Sequence, residues 1–150
     1  TISVVQQPGP GNALGLMKID MPNPHAIYLH DTPSKSFFNH TVRAYSHGCV
    51  RTERAVELGM TMAMMGAGLS AEEAAELSRA GEYKRVVMTQ SFPVYITYFT
   101  MGRSIEGDLR TFGDIYGRDK AVLDSFAAAR QAKTTQRKSD EAIIKLDNPL

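Results

Sequence analysis

Between "HAIYLH", which ends at His30, and a helical stripe that begins near Thr52, eighteen residues (31–48) carry no hydrophobic periodicity. Connections of that length are uncommon inside compact domains, and those that occur are usually functional or mobile. This one ends at "YSHGCVR" (45–51), which holds the chain's only cysteine, Cys49, with His47 and Gly48 before it and Arg51 after it. A strand, a long irregular connection and a helix in this order predict an α+β fold, with Cys49 on a loop leading into a helix.

The rest of the chain fits that class. "ISVVQQ" and "LMKIDM" read as strands separated by the turn formers "PGPGNALG" (8–15). In "HAIYLHD" the period of two places Ala26, Tyr28 and His30 on one face and Ile27 and Leu29 on the other. After the cysteine, Thr52 is the expected N-cap of a helix with Ala55, Leu58, Gly59 and Met62 on its inner stripe. Ser70 and Glu73 have capping-box spacing for a second helix, which Gly81 ends. "RVVMTQ" and "PVYITYFTM" (within 84–101) predict strands, "EGD" (106–108) a turn, and Asp119 the start of a last helix. The methionines of "MTMAMM" (60–65) are expected to fill core. One domain is expected over residues 1–132, followed by a polar tail over 133–150.

Composition narrows the function classes. With 43% apolar and 22% charged residues the 150-residue chain can bury a core, and a formal net charge of +1 gives no argument for nucleic acid. No stretch approaches the length of a membrane span. The start, "TISVVQQPGPG", has no basic region leading into an apolar run and reads like the middle of a strand. No signal peptide is therefore read in this chain, and the domain's opening strands are expected before Thr1.

A lone cysteine with this company has three readings. As a nucleophile it needs a thiolate, which a histidine or a helix N-terminus favours, together with amide donors for a developing oxyanion. His30, held on a strand, is the better base. His47 adjoins the thiol in sequence and can line the site, and Gly48 lets the backbone approach a ligand. As a metal ligand, Cys49 would need His30, His40 and His47, but no paired C-x-x-C or H-x-x-x-H spacing supports a zinc site. The third reading is an inert buried cysteine.

"HDTPSKSFFNHTVRAYSHGCVR" resembles the signature of the L,D-transpeptidase (YkuD-type) catalytic domain: a histidine, a gap of 14–17 residues, then Ser/Thr-His-Gly-Cys. Fifteen residues separate His30 from Ser46. The likeness extends through "PGPGNALG", "NPHAIYLHDTP", "PVYITYFT" and "DIYGRD", about residues 5–118, and is nearest the larger Gram-negative periplasmic members with a capping subdomain. Arg51 stands where many members carry Asn.

The resemblance implies a mixed or antiparallel β-sheet of YkuD-like β-sandwich type with two or three packed helices. It implies peptidoglycan tetrapeptide stems as substrate, 3→3 crosslinks made through a Cys49 thioester, and no cofactor or metal. His30 would be the base, oriented by the Asp31 carbonyl, with the amides near His47, Gly48 and Cys49 receiving the oxyanion. Tyr28, Tyr45, Ser46 and Arg51 are the expected substrate-binding residues. Carbapenem-type inhibitors, a periplasmic or cell-envelope location, and membrane contact only through an anchor preceding Thr1 follow from the same likeness. An L,D-carboxypeptidase, a stem or crosslink hydrolase, and a non-catalytic peptidoglycan-binding fragment are the alternatives.

Overall fold

The computed structural model describes residue 4 and residues 6–127. These fall into two units, 4–92 and 93–127. Helices and short mixed and antiparallel strands make the fold α+β, as the sequence predicts.

The first unit is built around a three-stranded sheet in the order β1 (Lys18–Ile19), β2 (Leu29–His30), β3 (Val50–Arg51). β1 and β2 run antiparallel, with Lys18 opposite His30, and β2 and β3 run parallel, with His30 opposite Arg51. Helix α1 (Ala55–Ala67) packs on β1 through Gly59, where a Cβ would lie 1.9 Å from Met17 Sδ. Gly68, at φ +74°, ends the helix in the left-handed conformation that glycine adopts at no steric cost. Helix α2 (Ala71–Arg79) follows with both halves of the expected capping box: Glu73 N–H donates to Ser70 Oγ (3.2 Å), and Ser70 N–H to Glu73 Oε2 (2.7 Å). The second unit holds a hairpin of β4 (Met101–Arg103) and β5 (Leu109–Thr111), turning at Gly107, and helix α3 (Asp119–Ala127).

Five expectations need correction or limits. The first helix opens at Ala55 with Arg54 as N-cap, not at Thr52. Thr52 N–H is instead drawn to His30 O (2.8 Å), extending the sheet by one bond. Strand β3 therefore stands between Cys49 and the helix. The aperiodic segment contains a 3₁₀ helix, Lys35–Asn39. "RVVMTQ" and most of "PVYITYFTM" form no ladder. Thr89 and Gln90 N–H donate to Gly66 O at the end of α1 (2.8 and 3.1 Å), so their backbone groups are used on a helix. Met64 and Met65 are exposed, not core. Residues 2, 3 and 5 of the first expected strand, and the whole polar tail 133–150, lie outside the described residues; Val4, Gln6 and Gln7 are not in a strand.

Candidate active site

Strand pairing brings the two ends of the long connection together. Extending the parallel β2–β3 register by one position sets Cys49 beside Tyr28, and Val50 N–H donates to Tyr28 O (3.0 Å). Partners in a parallel pair share a face, and so do residues two apart on a strand. Tyr28, His30, Cys49 and Arg51 therefore point to one side of the sheet. Six of the nine residues expected from the sequence (His30, Ser46, His47, Gly48, Cys49 and Arg51) line one cavity of about 480 Å³.

His30 is 5% exposed, and its Nδ1 lies 2.5 Å from Asp31 O. A carbonyl only accepts, so Nδ1 carries a proton, and in the neutral ring Nε2 is then the nitrogen with the lone pair. The Tyr28 ring meets the His30 ring edge-on at 5.8 Å, and Lys18 Nζ stands 4.9 Å from the Tyr28 centroid. Burial first, then a hydrogen bond and the charge at Cys49, then Asp20, push the Tyr28 phenol above its ordinary value. Tyr28 thus stays protonated where a thiol ionises, and is a donor toward the sulfur.

The loop before the thiol is open. Ser46, His47 and Gly48 are exposed and Cys49 is half-buried. Gly48 sits at φ +150°, and its N–H reaches Ser46 Oγ at 3.4 Å. A Cβ there would meet only Ile27 Cγ1 at 3.8 Å, so it is the backbone conformation that favours glycine. Tyr45 is not on the cavity wall. It stacks on Phe37 of the 3₁₀ helix (4.8 Å between centroids) and receives or gives a hydrogen bond at His40 Nδ1 (2.8 Å). Among the described residues no group of three His, Cys, Asp or Glu side chains is placed to hold a metal.

Arg51 is half-buried, with its guanidinium carbon 5.5 Å from the Phe37 centroid. Its Nε is buried without a hydrogen-bond partner among the described residues. A buried donor of this kind normally has an acceptor, and this side chain lines the cavity.

Sequence reasoning missed the rest of the cavity lining, made by Ala13 and Leu14 of the first turn and by His25, Ala26 and Ile27. The second group is shaped by Asn23, whose Nδ2 donates to Met21 O and Ile27 O (2.9 and 2.7 Å) and whose Oδ1 accepts from His25 and Ile27 N–H (3.0 and 3.1 Å). This Asx turn holds Ala26 at φ +53°, unusual for a residue with a Cβ. Asn23 between two prolines was the available signal.

Residues 2–64 match the family model described as "YkuD: L,D-transpeptidase catalytic domain". A protein of Haemophilus influenzae named "Putative L,D-transpeptidase" is 33% identical over 118 residues, 79% of this chain and 24% of that protein. The chain thus spans about a quarter of the length of the curated relative it matches.

Proposed function

This chain belongs to the YkuD L,D-transpeptidase catalytic-domain family, and on that premise we propose that it cleaves and rejoins peptidoglycan stem peptides through a Cys49 thioester. The observation that carries this reading is the β2–β3 register, which sets Cys49 on the same face as a histidine whose Nδ1–H is already committed to a carbonyl.

In this reading His30 Nε2 takes the Cys49 proton, and the sulfur attacks the carbonyl carbon of the bond between the third and fourth stem residues. The tetrahedral oxyanion is received by amides at His47, Gly48 and Cys49, with that of Gly48 leaving its long contact to Ser46 Oγ. The C–N bond breaks, His30 returns the proton to the departing D-alanine nitrogen, and a thioester remains. An amine of a neighbouring stem attacks the thioester carbonyl. His30 takes the amine proton and passes it to the Cys49 sulfur as the C–S bond breaks, and a 3→3 crosslink forms with the thiol restored. Water in place of the amine makes the same site a carboxypeptidase. The Arg51 guanidinium on the cavity wall supplies a charged donor for a stem carboxylate, and Tyr28 a donor beside the sulfur. A substrate of this kind places the protein in the cell envelope and makes carbapenems, which acylate such a thiol, its expected inhibitors.

Muropeptide profiling by mass spectrometry tests the proposal. New dimers mean transfer, shortened monomers mean hydrolysis, and an unchanged profile means binding only. Cys49→Ser abolishes turnover with the fold intact, and His30→Ala lowers acylation by roughly 10²-fold or more. Full turnover by Cys49→Ser refutes the nucleophile assignment.

A further inference from the structure

We propose that the Asp31 side chain, and not only its backbone carbonyl, is a positioning residue: its carboxylate locks the peptide group that fixes the His30 tautomer. This inference rests on the reading of His30 as the base.

Asp31 is 4% exposed, and its neighbours His30 and Thr32 are buried with it. Oδ2 accepts the Leu16 N–H at 2.9 Å, and Oδ1 accepts from Lys35 Nζ at 2.5 Å. Lys35 Nζ also donates to Glu53 O at 2.8 Å, two residues before α1. The backbone of Asp31 is held as well, its N–H by Met17 O (2.9 Å) and its carbonyl by His30 Nδ1. One side chain thus joins the glycine-rich turn, the end of β2, the 3₁₀ helix and the approach to α1.

The arrangement is built around a charged group. Burial alone pushes the carboxyl up, but the Lys35 ammonium and the Leu16 and Thr32 amides outweigh it and hold Asp31 below its ordinary value. Gly15 makes the space: at φ +63°, a Cβ there would lie 2.3 Å from Asp31 Oδ2. A buried carboxylate with a single ammonium and directed amides has one favourable orientation, and the peptide unit that carries it is turned accordingly. If that carbonyl swings away, Nδ1 loses its acceptor. The imidazole is then free to place its proton on Nε2, where it cannot take one from a thiol.

The test uses the whole chain, with the His30 tautomer read from two-bond nitrogen–proton couplings and Cys49 alkylation by iodoacetamide followed against pH. Wild type shows the Nδ1–H tautomer. Asp31→Asn and Lys35→Met populate the Nε2–H form and slow alkylation near neutral pH by roughly 10-fold to 10²-fold, while Lys35→Arg restores both. Lys35 is half exposed, so its replacement keeps the clamp testable if Asp31→Asn fails to fold. A wild-type tautomer and alkylation profile in folded Asp31→Asn or Lys35→Met overturns the inference. If His30→Ala alkylates like wild type, the reading of His30 as base fails instead, and the tautomer measurement still decides the role of Asp31.

Discussion

In the unit spanning residues 4–92, the Asp31 carboxylate collects the Leu16 amide and the Lys35 ammonium while almost fully buried. In the unit spanning 93–127, Asp114 collects the Tyr98 hydroxyl (2.6 Å) and the Arg118 and Asp119 amides (3.0 and 2.8 Å) in a half-open setting. Arg118 reaches Asp114 through its backbone amide. Its guanidinium lies 5.6 and 5.7 Å from the Tyr98 and Tyr116 centroids. Both carboxylates are held below their ordinary range, Asp114 chiefly by the Tyr98 hydroxyl and the Asp119 amide. Donor count does not separate the two hubs; burial does. Water can reach the Asp114 carboxylate when its partners are lost, and reaches the buried Asp31 carboxylate less easily. The rigid hub is also the one that adjoins His30 and the cavity.

Removing each carboxylate is the most direct way to break this comparison. Asp31→Ala removes a buried carboxylate, leaves the part-buried Leu16 amide without its acceptor and the Lys35 ammonium without its partner, and costs about 1–3 kcal/mol. Asp114→Ala frees the start of α3 and costs less. Urea unfolding gives the two losses, and hydrogen exchange at the Leu16 and Asp119 amides assigns each to its hub. An equal loss in the two variants means that burial is not what distinguishes them.

A glycine in each unit sharpens the contrast at a smaller scale. Gly15 and Gly107 both have positive φ, +63° and +92°, so alanine pays a backbone cost at each, about 1–2 kcal/mol. At Gly107 nothing lies within 4 Å of the added Cβ, and that cost is the whole effect. At Gly15 the methyl also collides with the Asp31 carboxylate, so Gly15→Ala costs about 1–3 kcal/mol more. Thermal midpoints of the two variants check the difference. A Gly15→Ala protein as stable as Gly107→Ala shows that the carboxylate can move aside, which also weakens the positioning role argued for Asp31.

What the sequence revealed was local. Ser70 and Glu73 are three residues apart, and their reciprocal bonds need only one helical turn. The turn before β5 follows from "EGD", and the shared face of Tyr28 and His30 from a period of two. The Asp31 hub was hidden because its partners are recruited across irregular chain: Leu16 lies 15 residues away, and Lys35 reaches Glu53 across 18. No periodicity encodes such contacts. The strands expected over 84–101 failed for the opposite reason. Their apolar, β-branched composition is right for strands, but a strand exists only with a neighbour, and pairing is not written in the segment itself. Cys49 and His30 stood out by their own chemistry, a lone thiol ahead of a helix and a histidine fixed on a strand, and the resemblance added the spacing that pairs them.

The smallest expected effect separates the hubs by salt. Both carboxyls titrate below their ordinary value in the folded protein. Each therefore contributes stability that is fully present above the unfolded value, about 3.9, and is lost as pH falls through the depressed folded one. Acid alone gives the same sign for both. Salt does not: Asp114 bonds the first amides of α3 and their approach, where its charge acts on an open helix end that about 1 M salt screens to ~3 Å. Asp31 and its ammonium are shielded from solvent ions on the carboxylate side, with that side chain 6% exposed. Thermal midpoints taken from neutral pH to below pH 3, with and without salt, should lose the Asp114-dependent part of the acid slope in salt and keep the Asp31-dependent part. Asp114→Asn and Asp31→Asn each remove their own share and so identify it. If salt removes both shares equally, Asp31 is as accessible to ions as Asp114, and its buried hub does not hold His30 more firmly than an open one would.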